Sequence, residues 1–136
     1  MSCPELLSAA FRHIRDARAL IQPGHLQSVD QAWHLIGFGP ECCAKACLSD
    51  GHFDKALGHS LAHDLVELLI ALEIGAARVA EPPPTSLAGW RIDCRYERTG
   101  ARAVGPVERA VEDVQAAVFR VAARLWVEGR LVDVPS

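Results

Sequence analysis

The feature that most constrains the fold is a long apolar stripe late in the chain. Val107, Ala110, Val111, Val114, Ala117, Val118, Val121, Ala122 and Leu125 recur at intervals of three and four, so they line one face of a helix. Gly105-Pro106 offers a start, because proline suits the first helical position, and Gly129 offers a stop. Arg109 and Asp113, four apart, fall on the outer face. A helix with such a stripe needs other helices or a sheet to cover it.

The rest of the chain supplies helices. Over residues 5–21, Leu6, Leu7, Ala10, Phe11, Ile14, Ala17, Leu20 and Ile21 repeat the same spacing, with Arg12, Arg15, Asp16 and Arg18 opposite. Pro4 stands in the first turn and Pro23-Gly24 closes the run. A second helical segment begins at Ser28 or Asp30, both able to cap, and reaches Ser49-Asp50-Gly51. Gly37-Phe38-Gly39-Pro40 interrupts it. Pro40 has no N–H for the Ile36 carbonyl and its ring crowds that turn, so the layer is kinked or split there. A third helix is expected from His59 or Ser60, carrying Leu61, Leu65, Leu68, Leu69, Leu72 and Ala76 to the stop at Pro82-Pro83-Pro84. Residues 82 to about 105 form a connection too long for a turn, with helical potential from Ser86 to Glu97; long connections of this kind are often functional. No strand alternation persists beyond five residues and there is no internal repeat. The expected fold is all-α, an antiparallel bundle of four to five helices with its second layer kinked or interrupted at Pro40. Residues 1–136 form a single domain, within the ordinary size of one core.

Composition narrows the function. Half the residues are apolar but only 6% are aromatic, so Ala, Val, Leu and Ile must fill the core. The net charge of −3 argues against a broad nucleic-acid surface. Locally, Arg91, Arg95, Arg98, Arg102 and Arg109 outnumber Asp93, Glu97 and Glu108, which leaves room for a small phosphate or RNA site. Cys3, Cys42, Cys43, Cys47 and Cys94 include no C-x-x-C pair and read as reduced thiols rather than a disulfide or zinc framework. No secretory signal is recognisable, and no apolar run approaches the roughly 20 residues of a membrane span. A cytoplasmic protein with no membrane association is expected.

Three constellations carry candidate chemistry. Glu41 and Lys45 are spaced for a helical ion pair; an ordinary surface pair is the simple alternative, and Cys43 and Cys47 beside them suit a small-hydrophobe role in the core. His59 and His63, with Glu67 one turn on, have zinc-like spacing. Ser60 stands where a general-base glutamate would be, and His59 and Asp64 could equally cap the helix start. In Trp90-Arg91-Ile92-Asp93-Cys94-Arg95-Tyr96-Glu97-Arg98, the three arginines would share a helix face. Guanidinium forks suit phosphate and the aromatics suit base stacking, whereas an interface or ion-pair lattice is the structural alternative.

The order of these features resembles the HEPN family, helical bundles associated with nucleotides and RNA in prokaryotic conflict systems. The likeness runs from about Leu6 to Leu131: an amphipathic first helix, Glu41-x-x-x-Lys45, His63-Asp64-Leu65 with Leu68-Leu69, Trp90 with Arg95-Tyr96-Glu97, and an Ala/Val-rich last helix. The resemblance implies one of two classes. Some members are metal-independent ribonuclease toxins using an Arg-(four to six residues)-His motif at a dimer interface. Others lack that motif and bind nucleotides or partner proteins, often beside a small nucleotidyltransferase. Here the only Arg-to-His spacing that fits is Arg18 to His25, but Pro23-Gly24 lies between them and puts His25 off the first helix, and His63 is the last histidine.

The expectation is therefore a non-catalytic module that binds a nucleotide, RNA or a protein partner, in a toxin–antitoxin or defence setting, as a homodimer. Its expected ligand-binding residues are Glu41, Lys45, His63, Trp90, Arg91, Arg95, Tyr96 and Arg98, with no metal and no cofactor. The dimer expectation also draws on a mean hydropathy of +0.11, high for a small chain. A ribonuclease pairing an arginine of the 91–98 cluster with His63 is the first alternative. A metal-binding bundle using His59, His63 and Glu67 is the second.

Overall fold

The computed structural model describes residues 3–23, 28–48, 79–91, 100 and 102–131. Helix α1 spans Cys3–Leu20, α2 Val29–Ile36, α3 Phe38–Ala46 and α4 Val104–Val127, with a 3₁₀ turn at Thr85–Leu87. The fold is helical, with no strand among the described residues. Helix α1 packs on α2, α3 and α4, and α4 also packs on α2 and α3. The expected third helix, from residue 59 or 60, lies outside the described residues, and with it the full count of helices in the bundle.

The apolar stripes do what their spacing predicts. Every member of the α4 stripe from Val107 to Leu125 is buried, as are Leu6, Leu7, Ala10, Phe11, Ile14, Ala17 and Ile21 of the first stripe. Pro4 and Pro106 both sit within first turns, where a missing N–H has no intrahelical acceptor to lose. Helix α4 starts two residues before Pro106, rather than at it.

The second layer is split, but at Gly37 and not at Pro40. Gly37 joins α2 to α3 with near-helical dihedrals, φ −66° and ψ −23°. Pro40 then falls in the first turn of α3, where its ring and absent N–H are tolerated. Packing explains the glycines. A Cβ on Gly37 would lie 1.9 Å from Cε2 of Trp90, and one on Gly39 would lie 3.0 Å from Val114 Cγ1. The first position admits an indole from a distant part of the chain; the second lets α3 approach α1 and α4 closely.

Two helix ends are finished in unexpected ways. Ser28 occupies the N-cap of α2 yet makes no side-chain capping bond. The Asp30 carboxylate instead accepts the backbone N–H groups of Gly100 (2.8 Å) and Arg102 (3.1 Å). At the end of α4, Gly129 takes φ +74°, the Arg130 N–H bonds the Leu125 carbonyl and the Gly129 N–H bonds the Trp126 carbonyl. This six-to-one and five-to-two pairing is a Schellman closure. It turns the chain so that the Arg130 guanidinium donates to the carbonyls of Cys47 (2.6 Å), Leu48 (2.6 Å) and Ala46 (3.3 Å) at the end of α3. Carbonyls at the end of a helix carry the negative end of its dipole, so a cation is a favoured cap.

Candidate functional site

The two flanks of the arginine-rich segment, Trp90 before it and Gly100 with Arg102 after it, are held by α2. Pro82-Pro83-Pro84 leads into Thr85–Leu87, and the Trp90 N–H bonds the Leu87 carbonyl at 3.0 Å while Gly89 takes φ +86°. Over residues 85–91 a turn thus stands where a helix from Ser86 is expected, and the rest of that stretch, to residue 97, lies outside the described residues. Glycine permits the turn, since a side chain is strained at that φ. Trp90 is 8% exposed. Its indole N–H donates to the carbonyls of Trp33 (2.9 Å) and His34 (3.2 Å), in the last turn of α2. Its ring stacks with His34 and meets Phe38 edge-on at 5.5 Å. The side chain is a wedge between α2 and α3, filling the space that Gly37 leaves.

The other end of the segment is held by the same helix. Asp30 receives Gly100 and Arg102 at the first turn of α2, and the Arg102 guanidinium lies 4.5 Å above the Trp33 ring, a cation–π contact. The two anchor regions on α2 are three to four residues apart, about 5–6 Å along the axis at 1.5 Å per residue. Nine residues, 91–99, could span about 30 Å if extended. Both ends of the stretch are therefore fixed on one short helix, and Arg91 leaves the first anchor exposed to solvent. Arg95, Tyr96 and Arg98 lie outside the described residues, as do His59, His63 and Glu67.

Glu41 and Lys45 do pair, at 3.2 Å, but not on the surface. They are 7% and 8% exposed, on the inner side of α3. The spacing correctly gives the partner, and the surface alternative is corrected, because both side chains are buried. A buried pair of this kind fixes geometry more surely than it adds stability, since removing two charges from water offsets their attraction. Within reach of it, burial and the adjacent Glu41 carboxylate raise the Cys42 thiol. Burial lifts Cys47 to about 12, and raises Cys43 well above the usual thiol value. Thiols held protonated in this way are poor nucleophiles and metal ligands, which accords with their core role. Among the described residues no group of three or more His, Cys, Asp or Glu is placed to hold a metal ion.

A separate polar cluster joins the proline run to α4. The Glu81 carboxylate accepts Arg120 through Nε (2.9 Å) and Nη2 (2.9 Å), and Arg124 Nη1 at 2.9 Å. The Arg120 hydrogen bond holds the Glu81 carboxyl below its ordinary range, against an opposing effect of burial. Asp113 accepts the Ser86 hydroxyl at 2.7 Å. Asp30, Gly37, Arg102 and Glu81 are not among the binding residues expected from the sequence. Asp30 reads there as a capping residue, and no local pattern marks a carboxylate that binds backbone 70 residues away. No family model, no curated protein and no solved structure matches this chain. No helix among the described residues is long and apolar enough to cross a membrane.

Proposed function

We propose that the chain is a non-catalytic, HEPN-like bundle of four to five helices that presents the segment 91–98 to a nucleotide or single-stranded RNA. On this reading it works as a homodimer in the cytoplasm, in a toxin–antitoxin or defence setting beside a nucleotidyltransferase-like partner. The observation that carries the reading is the double attachment to α2: Trp90 locked under its last turn and Gly100 with Arg102 on Asp30 at its first. A segment rich in guanidinium groups, fixed at both ends, loses less conformational freedom on binding an anion than a free loop would. Arg91 and Arg95 are assigned to phosphate, and Tyr96 to stacking on a base. Trp90 supports them from within the core, and the buried Glu41–Lys45 pair holds α3 beneath.

Titration of the purified protein with ATP and with a short single-stranded RNA, followed by calorimetry or fluorescence anisotropy, tests this. Binding of either is expected to weaken at least tenfold in Arg91→Ala/Arg95→Ala, with the circular dichroism spectrum unchanged. Absence of binding by the wild type, or equal binding by the double variant, sinks the proposal.

A further inference from the structure

Every exposed large hydrophobic side chain among the described residues lies on α4: Val104, Phe119, Trp126 and Val127. Phe119 is 46% exposed although one side of it rests on Phe11, and Trp126 is 45% exposed. Exposed Ala116 and Ala123 complete the pattern. Ala116, Phe119, Ala123 and Trp126 follow one another at intervals of three, four and three, the spacing of a helix–helix seam, and they alternate small and large. The face flanks the buried stripe, and Phe119 and Trp126 each keep nearly half of their surface uncovered by the bundle's own core.

We infer that this face is the surface on which two copies of the chain pair, with their α4 helices antiparallel. The inference rests on the homodimer reading above and assigns its interface. Antiparallel pairing about position 121 sets Phe119 against Ala123 of the second copy and Trp126 against Ala116. The two-fold axis repeats both contacts, so large meets small at each step. A parallel pairing would instead oppose Phe119 with Phe119 and leave gaps at the alanines. Arg120 and Arg124, which flank the seam, are drawn aside onto Glu81 of their own chain. Pattern and volume thus favour a second copy over an unrelated partner.

Cross-linking reads the register directly. Ala116 and Trp126 are ten residues apart on one helix, about 15 Å, beyond the reach of an intrachain disulfide. Mild oxidation of Ala116→Cys/Trp126→Cys is expected to give a covalent dimer as the main species. Wild type and Ala116→Cys alone should remain largely uncross-linked. Ala123→Trp, which fills a small position on the exposed face without touching the core, is expected to raise the dimer dissociation constant at least tenfold in light scattering or sedimentation, with helix content unchanged. A dimer that tolerates Ala123→Trp, or no gain in cross-linking for the cysteine pair, overturns the assigned surface while leaving the homodimer. A monomeric wild type overturns both, and nucleotide or RNA binding is measured independently of either.

Discussion

Gly37 shows how much one missing side chain can decide. The position has ordinary helical dihedrals, so no backbone strain demands glycine there. What demands it is the Trp90 ring, which occupies the space of a Cβ. Gly37→Ala must push the indole away, and with it the hydrogen bonds to Trp33 and His34. Overpacking of a well-filled site costs about 1–3 kcal/mol, and this clash is severe enough to expect the upper end. Urea denaturation should show the loss as a lower midpoint at unchanged slope. Near-wild-type stability in Gly37→Ala would mean that the indole has another place to go. From sequence, Gly37 reads as a helix breaker beside Pro40, and the break does occur. Its cause is not legible locally, because the side chain that needs the space is 53 positions away.

At the scale of elements, the spacing of apolar residues predicts α1 and α4 and their buried faces almost residue for residue, since a 3.6-residue period needs only local information. The ends of elements follow different rules. Gly129 is readable as a stop, whereas the consequence of that stop, the delivery of Arg130 to α3, is not. The Glu41–Lys45 pair is similarly half legible: four-residue spacing gives the partner, and burial depends on which helices cover α3. The segment 91–98 is legible as a cluster of arginines and aromatics, but its attachment through Asp30 depends on a contact 70 residues long in sequence. The α3–α4 link yields a prediction. Arg130→Met should cost about 1–3 kcal/mol by leaving the last α3 carbonyls without their charged donor. Gly129→Ala should cost about 1 kcal/mol from the strain of positive φ. Because Gly129 aims Arg130, the double variant is expected to lose less than the sum of the two. A thermal-denaturation double-mutant cycle measures the difference, and strict additivity would show that the turn and the cap are independent.

For the whole molecule, Glu81 joins the proline run to α4 through Arg120 and Arg124, and this link is sensitive to acid. Its folded-state carboxyl titrates below the ordinary value of 4.5, chiefly because of the Arg120 hydrogen bond. A lowered folded value means that the unfolded chain takes up the proton first. The stabilisation is therefore complete above the unfolded value and declines as pH falls from there through the folded one. Wild type should lose stability below about pH 4.5 more steeply than Glu81→Gln, whose amide does not titrate. Melting temperatures of the two proteins measured from pH 6 to pH 3 should converge toward the acid end; parallel curves would assign the acid sensitivity to other carboxylates.

The cap that Arg130 places on α3 also sets a timetable for synthesis. The guanidinium and the Cys47 carbonyl it serves are 83 positions apart. At 5–20 residues per second, about 4–17 s pass between the translation of the two. During that interval the end of α3 lacks its guanidinium cap, and for a shorter part of it the notch at Gly37 awaits Trp90. The early helices are thus made well before the parts that finish them, and the nascent chain spends those seconds with its second layer unsealed.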